Sequence, residues 1–183
     1  MAIELNDDIL DSARQGNEFA LTCVYRSLAP GVLGYFRARG ATDPEASVND
    51  VFVSVFARLP RFHGTVTALR SFVYSVAHAR LVDDYRRQHR RPTLVVLDEG
   101  LPLPTVASAE AEAMERLDGA GLAAVLARLP DDQAEVIVLR IVAGLSVAQV
   151  AEAMKRSEGA VKQLQRRGLL RLRELLGAGQ VTR

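Results

Sequence analysis

Leu145-Ser146-Val147-Ala148-Gln149 constrains this chain more than any other stretch, because it carries both halves of a helix start. The Ser146 hydroxyl can accept from the Gln149 amide while the Gln149 side chain reaches back to the Ser146 amide, the reciprocal arrangement of a capping box. Val150, Ala151 and Met154 follow on one face, and the helix is expected to stop near Lys155-Arg156. Ser157 is then a second N-cap, for a helix that begins at Glu158 and carries Val161, Leu164, Gly168 and Leu172 as its core stripe. Ala151 precedes Val161 and Leu164 by the spacing at which a helix-turn-helix packs its two helices, and the close crossing there requires a small residue. Such turns usually hold glycine where this chain has Lys155. A left-handed conformation costs ~1 kcal/mol more for lysine than for glycine, so the turn is expected to differ locally.

The second of these helices leaves Lys162, Gln163, Gln165, Arg166 and Arg167 at exposed or partly exposed positions, with Arg171 and Arg173 beyond them. Arginine and glutamine can pair with purine edges in a major groove, whereas lysine and the distal arginines suit phosphates. The alternative is a plain helical hairpin with a cationic face. Charge distribution favours the first reading. The formal net charge of +1 conceals five arginines in residues 80–91 against Asp83 and Asp84, and seven Lys or Arg in residues 155–173 against Glu158 alone. Between them, residues 92–115 hold five acids and no base. Separated blocks of this kind describe two basic nucleic-acid surfaces and an acidic connector.

Helical periodicity runs through most of the remainder. Val48, Phe52, Val55, Phe56 and Leu59 mark one buried stripe, and Leu69, Val73, Val76, Leu81 and Tyr85 another. Alternating strand patterns with hairpin turns are missing, so the class is all-α. Gly16, Pro30-Gly31, Gly40 and Pro60 are expected to punctuate the first half into four helices. Pro92, Pro102, Pro104 and Gly100 mark a flexible linker over residues 92–115, which leaves two small helical domains at 1–91 and 116–183. Few contacts are expected to hold these domains at a fixed distance. Met1 to Leu10 lacks the character of a signal peptide and no apolar run is long enough for a membrane span, so a cytoplasmic protein is expected. The single cysteine, Cys23, excludes an internal disulfide, and His63, His78 and His89 show no ligand spacing, so neither a metal nor another cofactor is expected. With no phosphate-binding glycine loop and no nucleophile-and-base set, an enzyme is not expected either.

Two further segments complete a pattern. Leu69-Arg70-Ser71-Phe72-Val73-Tyr74 through Ala77, Arg80, Asp83 and Arg86-Arg87 resembles the −10-element helix of the extracytoplasmic-function (ECF, group 4) sigma factors of the sigma-70 family. Pro44-Glu45-Ala46-Ser47-Val48-Asn49-Asp50-Val51-Phe52 is similar to the polymerase-docking segment that precedes it. Leu129-Pro130-Asp131-Asp132-Gln133 through Arg140, Gly144-Leu145-Ser146 and Lys162 resembles the −35-element domain, and the likeness runs from about Asp8 to Leu176, linker excluded. The chain departs from the family in Ala46, which replaces a second acid, and in Phe56 and Phe72, which stand where tryptophans are common. Gln163-Leu164-Gln165 stands in place of Ser-Arg-Leu.

The resemblance implies that the first domain captures the unpaired non-template strand of the −10 element, with Phe62, His63, Arg80, Asp83, Arg86, Arg87, Arg90 and Arg91 as its contacts. Stacking platforms or tight pockets with cationic guidance are what single strands require. The loop Phe62-His63-Gly64-Thr65 is either a receptacle for a flipped base or a plain turn, and Tyr74 and Tyr85 read as core rather than as platforms. The resemblance likewise gives Ser157, Glu158, Lys162, Gln163, Gln165, Arg166, Arg167 and Arg171 to the duplex −35 element. Asn49, Asp50, Val53 and Ser54 go to the clamp helices of the polymerase's largest subunit, since exposed apolar residues beside acids suit a protein groove. The implied partners are core RNA polymerase, through its clamp helices and flap region, promoter DNA, and an anti-sigma factor. The competing class is a conventional helix-turn-helix regulator whose first domain senses or dimerises.

Overall fold

A computed structural model describes residues 5–90 and 119–178. The expected linker, and Arg91 with it, lies outside the described residues, and for Arg90 the backbone alone is described. The described residues are helical, with no strand among them. The first half comprises α1 (Asp7–Arg14), α2 (Glu18–Ala38), α3 (Pro44–Arg58), a 3-10 turn (Leu59–Arg61) and α4 (Val66–Arg90). The second comprises α5 (Gly119–Leu126), α6 (Asp131–Ile141), α7 (Val147–Met154) and α8 (Glu158–Ala178).

Local chemistry accounts for most of the boundaries. Asn6, Asn17 and Asp43 cap α1, α2 and α3 by accepting from the backbone amides of Ile9, Ala20 and Ala46. Asp7 reaches from α1 to accept from Val66 N at 2.7 Å, so one helix supplies a cap to another. Pro30 is the exception to its expected role. Instead of breaking the chain, it lies inside α2. An interior proline costs about 3 kcal/mol, and the buried stripe through Val24, Leu28, Val32, Tyr35 and Phe36 carries the helix past it. Gly31 beside it serves packing: a Cβ there would meet the Tyr74 hydroxyl of α4 at 2.6 Å.

Tyr35, Phe36, Val51, Val55, Leu59, Leu69 and Val73 fill the core of the first half. Leu126, Val136, Val138, Leu139, Leu145, Val150 and Val161 fill that of the second, where Gly168 lets α8 close on α6: a Cβ there would meet Ile137 Cδ1 at 2.6 Å. The two cores are continuous with each other, because α2 packs on α5 and α4 packs on α7. The expectation that few contacts hold the halves at a fixed distance is thus corrected. The reason is apolar and polar surface on α2 and α4 that faces the second half, including Gly34 against Val142.

Candidate nucleic-acid interface

The helix-turn-helix forms as its caps require. Ser146 Oγ accepts from Gln149 N at 3.2 Å while Gln149 Oε1 accepts from Ser146 N at 2.7 Å. Ser157 Oγ accepts from Ala160 N at 3.2 Å and starts α8. Lys155 adopts φ 52° and ψ 47°, the left-handed conformation that glycine takes more cheaply, so the turn keeps its geometry and does not differ as expected. Among the described residues it is the one non-glycine with positive φ. Its amide closes the end of α7 by donating to the Ala151 and Glu152 carbonyls. Arg156 then ties the turn to α6 through Asp132 at 2.6 Å.

Val161, Gly168 and the half-buried Leu164 and Leu172 seat α8. The opposite face presents Lys162, Gln163, Arg166, Arg167 and Arg171 to solvent, with Ser157 and Glu158 exposed at its start and Gln165 half-buried at its side. Glu158 lies 3.8 Å from Lys162, an exposed pair of little energetic weight. A helix N-terminus flanked by exposed Arg, Lys and Gln is chemically suited to a groove lined with phosphates and base edges.

In the first half, Arg86 and Arg87 are exposed on the last described turns of α4, with Asp83 3.8 Å from Arg86. Arg80 is already paired. Its guanidinium lies 2.8 Å from Asp50 of α3 and 3.4 Å from Asp84. Two residues read separately, one for DNA and one for polymerase, therefore touch. Phe62 is half-buried, stacked on Phe72 with centroids 5.4 Å apart and covered by the Arg14 guanidinium at 5.7 Å. Arg14 also donates to the Gly64 carbonyl, which fixes the loop. His63 is exposed at its tip. Tyr74 is buried, and Tyr85 donates to the Arg39 carbonyl at 2.7 Å, so both tyrosines belong to the packing.

Asn49, Asp50 and Val53 stand on the outer face of α3, with Ser54 half-buried beside them and Val53 70% exposed. The structure adds two residues that sequence reasoning missed. Phe19 is 63% exposed on α2, and the Tyr25 hydroxyl donates to Asn49 Oδ1 at 3.3 Å. The available signal for Phe19 was its position off the α2 stripe, where an apolar side chain has no core to enter, whereas Tyr25 packs edge-on against Phe52 with ring centroids 4.8 Å apart.

A second arrangement has no counterpart in the sequence pattern. Glu135 of α6 is 2% exposed and accepts from the Tyr35 hydroxyl at 2.7 Å. His78 Nδ1 lies 2.7 Å from the same oxygen, and Arg39 Nε lies 2.9 Å from the other. The Arg39 contact is an ion pair in distance, since its N–H is not aimed along the bond. Burial, with the Glu135 carboxylate next, pushes the Tyr35 hydroxyl well above the ordinary tyrosine range. Among the described residues no cluster of His, Cys, Asp and Glu is arranged to hold a metal, and no helix is long and apolar enough to cross a membrane.

A capped helix-turn-helix with a cationic face, joined to a helical bundle with its own arginine-bearing helix, is the architecture of a transcription factor. Residues 125–174 match the family model for sigma-70, region 4. The chain is 31% identical over 177 residues to the ECF RNA polymerase sigma factor ShbA of Streptomyces griseus, covering 91% of this chain and 93% of ShbA. It is 29% identical to the ECF RNA polymerase sigma factor SigD of Mycobacterium tuberculosis, covering 94% of this chain and 85% of SigD. The solved structure of CnrH in complex with the cytosolic domain of CnrY shares the fold, with a TM-score of 0.70 at 24% identity, over 94% of this chain and 97% of that one. The chain belongs to the ECF sigma factors of the sigma-70 family. It directs promoter-specific initiation of transcription by RNA polymerase, and the reading as a conventional regulator falls away. Its relatives are sigma factors, a class that is not enzymatic.

Proposed function

We propose a division of labour among three faces. The outward face of α8, with Ser157, Glu158, Lys162, Gln163, Gln165, Arg166, Arg167 and Arg171, reads the duplex −35 element. Its exposure on the side away from α6 carries this assignment. The end of α4, with Arg86, Arg87 and Arg90, together with Arg91 next in sequence, guides the unpaired non-template strand of the −10 element, and His63 on the loop meets its bases. Phe62 takes part by shaping the loop, because its ring already packs on Phe72 and Arg14. Arg80 and Asp83 act beside them, with Arg80 exchanging Asp50 for phosphate when DNA arrives.

Asn49, Asp50, Val53 and Ser54, extended by Tyr25 and Phe19, dock on the clamp helices of the polymerase's largest subunit. Exposed apolar side chains flanked by one acid suit a protein groove and not a polyanion. Residues 1–91 and 116–183 are the two working domains and 92–115 is their connector, with the second also meeting the flap region. The protein acts in the cytoplasm without a cofactor or a catalytic step of its own. An anti-sigma factor binds it and holds it inactive; CnrH, which shares the fold, was solved in complex with the cytosolic domain of CnrY. Run-off transcription with sigma-free core polymerase on a promoter library tests the whole. Initiation at a defined promoter set is expected without ATP hydrolysis beyond nucleotide incorporation, and absence of any core-dependent transcript would refute it.

A further inference from the structure

The loop that presents His63 is held by a helix far from it in sequence. Asp7, Asp11 and Arg14 recur at the spacing of one helix face, and they lie on α1 beside the buried Leu10 and Ala13. Asp7 Oδ1 accepts from Val66 N at 2.7 Å, where the loop passes into α4. Arg14 Nη2 donates to the Gly64 carbonyl inside the loop, and its Nη1 pairs with Asp11, which holds the guanidinium in place. The guanidinium also covers the Phe62 ring at 5.7 Å, and that ring stacks on Phe72 at 5.4 Å. Gly64 leaves no slack, because a Cβ there would meet Ala68 Cβ at 2.9 Å and Phe62 Cζ at 3.2 Å. The beginning, middle and end of the loop are therefore fixed, while His63 at its tip stays exposed.

These contacts exceed what starting a helix requires. Thr65 already gives α4 a cap of its own, its Oγ1 accepting from Ala68 N at 3.4 Å, so Asp7 adds a second acceptor at the same helix start. The Gly64 carbonyl and the Phe62 ring lie before α4, so their contacts with Arg14 act on the loop alone. Arg14 is not placed to bind phosphate, since both terminal nitrogens are engaged and its Nε is buried. A loop fixed before a base arrives loses no freedom on binding it, whereas a mobile loop adapts to several bases and binds each less tightly. We infer that α1 is a brace for base selection: Arg14, backed by Asp11 and joined by Asp7, holds loop 62–65 so that His63 meets one base of the −10 strand in a preset position. Arg14 and Asp7 are thus positioning residues for −10 specificity. The inference rests on the reading of His63 as a base contact given above.

Holoenzyme assembled from core polymerase and the full chain is offered single-stranded DNA with a randomised window, and the bases enriched by capture are counted. His63→Ala marks the position that the loop reads. Arg14→Gln should flatten the preference at that same position on the order of tenfold, as for loss of a hydrogen bond from a charged donor. Core affinity and the preferences at other positions should not change. Arg14→Lys, which can still donate to the Gly64 carbonyl, should restore part of the preference. Asp7→Ala should act in the same direction as Arg14→Gln, and Asp7→Asn, which keeps an acceptor for Val66 N, should not; this pair decides the matter if Arg14→Gln does not fold. Loop order is read separately by a spin label at His63→Cys in a chain carrying Cys23→Ala, and the label should gain mobility with Arg14→Gln. A preference that His63→Ala abolishes but that survives both Arg14→Gln and Asp7→Ala would overturn the brace. Uniform weakening at every position would overturn it too, as the mark of a role in folding alone. If His63→Ala alters no preference while the label loosens with Arg14→Gln, α1 still holds the loop and the reading of His63 fails.

Discussion

Lys155 shows how a local rule can be broken without loss of the motif around it. Its left-handed backbone is held by α7 ending before it and by Arg156 pairing with Asp132 after it. Lys155→Gly should therefore stabilise the protein by up to ~1 kcal/mol, less the entropy that glycine adds to the unfolded chain. A thermal melt checks this, and a lower Tm would show that the lysine side chain contributes something the backbone argument omits. Tyrosine offers a second test at this scale, because the chain has four tyrosines and no tryptophan. Burial raises the hydroxyls of Tyr35, Tyr74 and Tyr85 above their ordinary value. For a group whose folded value is raised, stability is fully present below the unfolded value near 10 and is lost as pH climbs through the folded value. The tyrosinate absorbance of these three residues should thus rise late and together with loss of helical signal. Smooth ionisation near pH 10 with the helices intact would contradict the packing described for these rings.

Among the elements, those set by local chemistry are legible in the sequence. The capping box at Ser146 and Gln149, the Ser157 cap and the stripe of Val161 and Gly168 are short-range features, and the helices they define form as expected. Pro30 departs from its expected role because its penalty is local while the burial that overrides it is tertiary. Arg80 and Asp50, and Tyr35 and Glu135, are invisible as partners in sequence, since residues far apart in the chain meet only through helix packing. On α8 the division of roles can be separated by mutation. Gln163→Ala or Arg166→Ala should weaken binding to the cognate −35 element by ~1–3 kcal/mol where the side chain makes a bidentate base contact. Arg171→Ala should instead weaken all sequences alike and reduce the salt dependence. Titrations of polymerase holoenzyme on cognate and scrambled −35 duplexes distinguish them, and equal losses for all three variants on both duplexes would place the reading face elsewhere.

For the whole molecule, charge segregation announces two nucleic-acid surfaces but not how they are stored. The structure packs α4 against α7 and buries Glu135 among residues of the other half, so the two surfaces share one continuous core. Hydroxyl-radical footprinting of a promoter with core polymerase and this protein tests the account most directly. Two protected patches are expected, centred on the −35 and −10 elements, with Arg166→Ala erasing the upstream patch first and Arg86→Ala with Arg87→Ala the downstream one. Protection of duplex DNA by the protein alone, or a single patch lost equally in both variants, would contradict it.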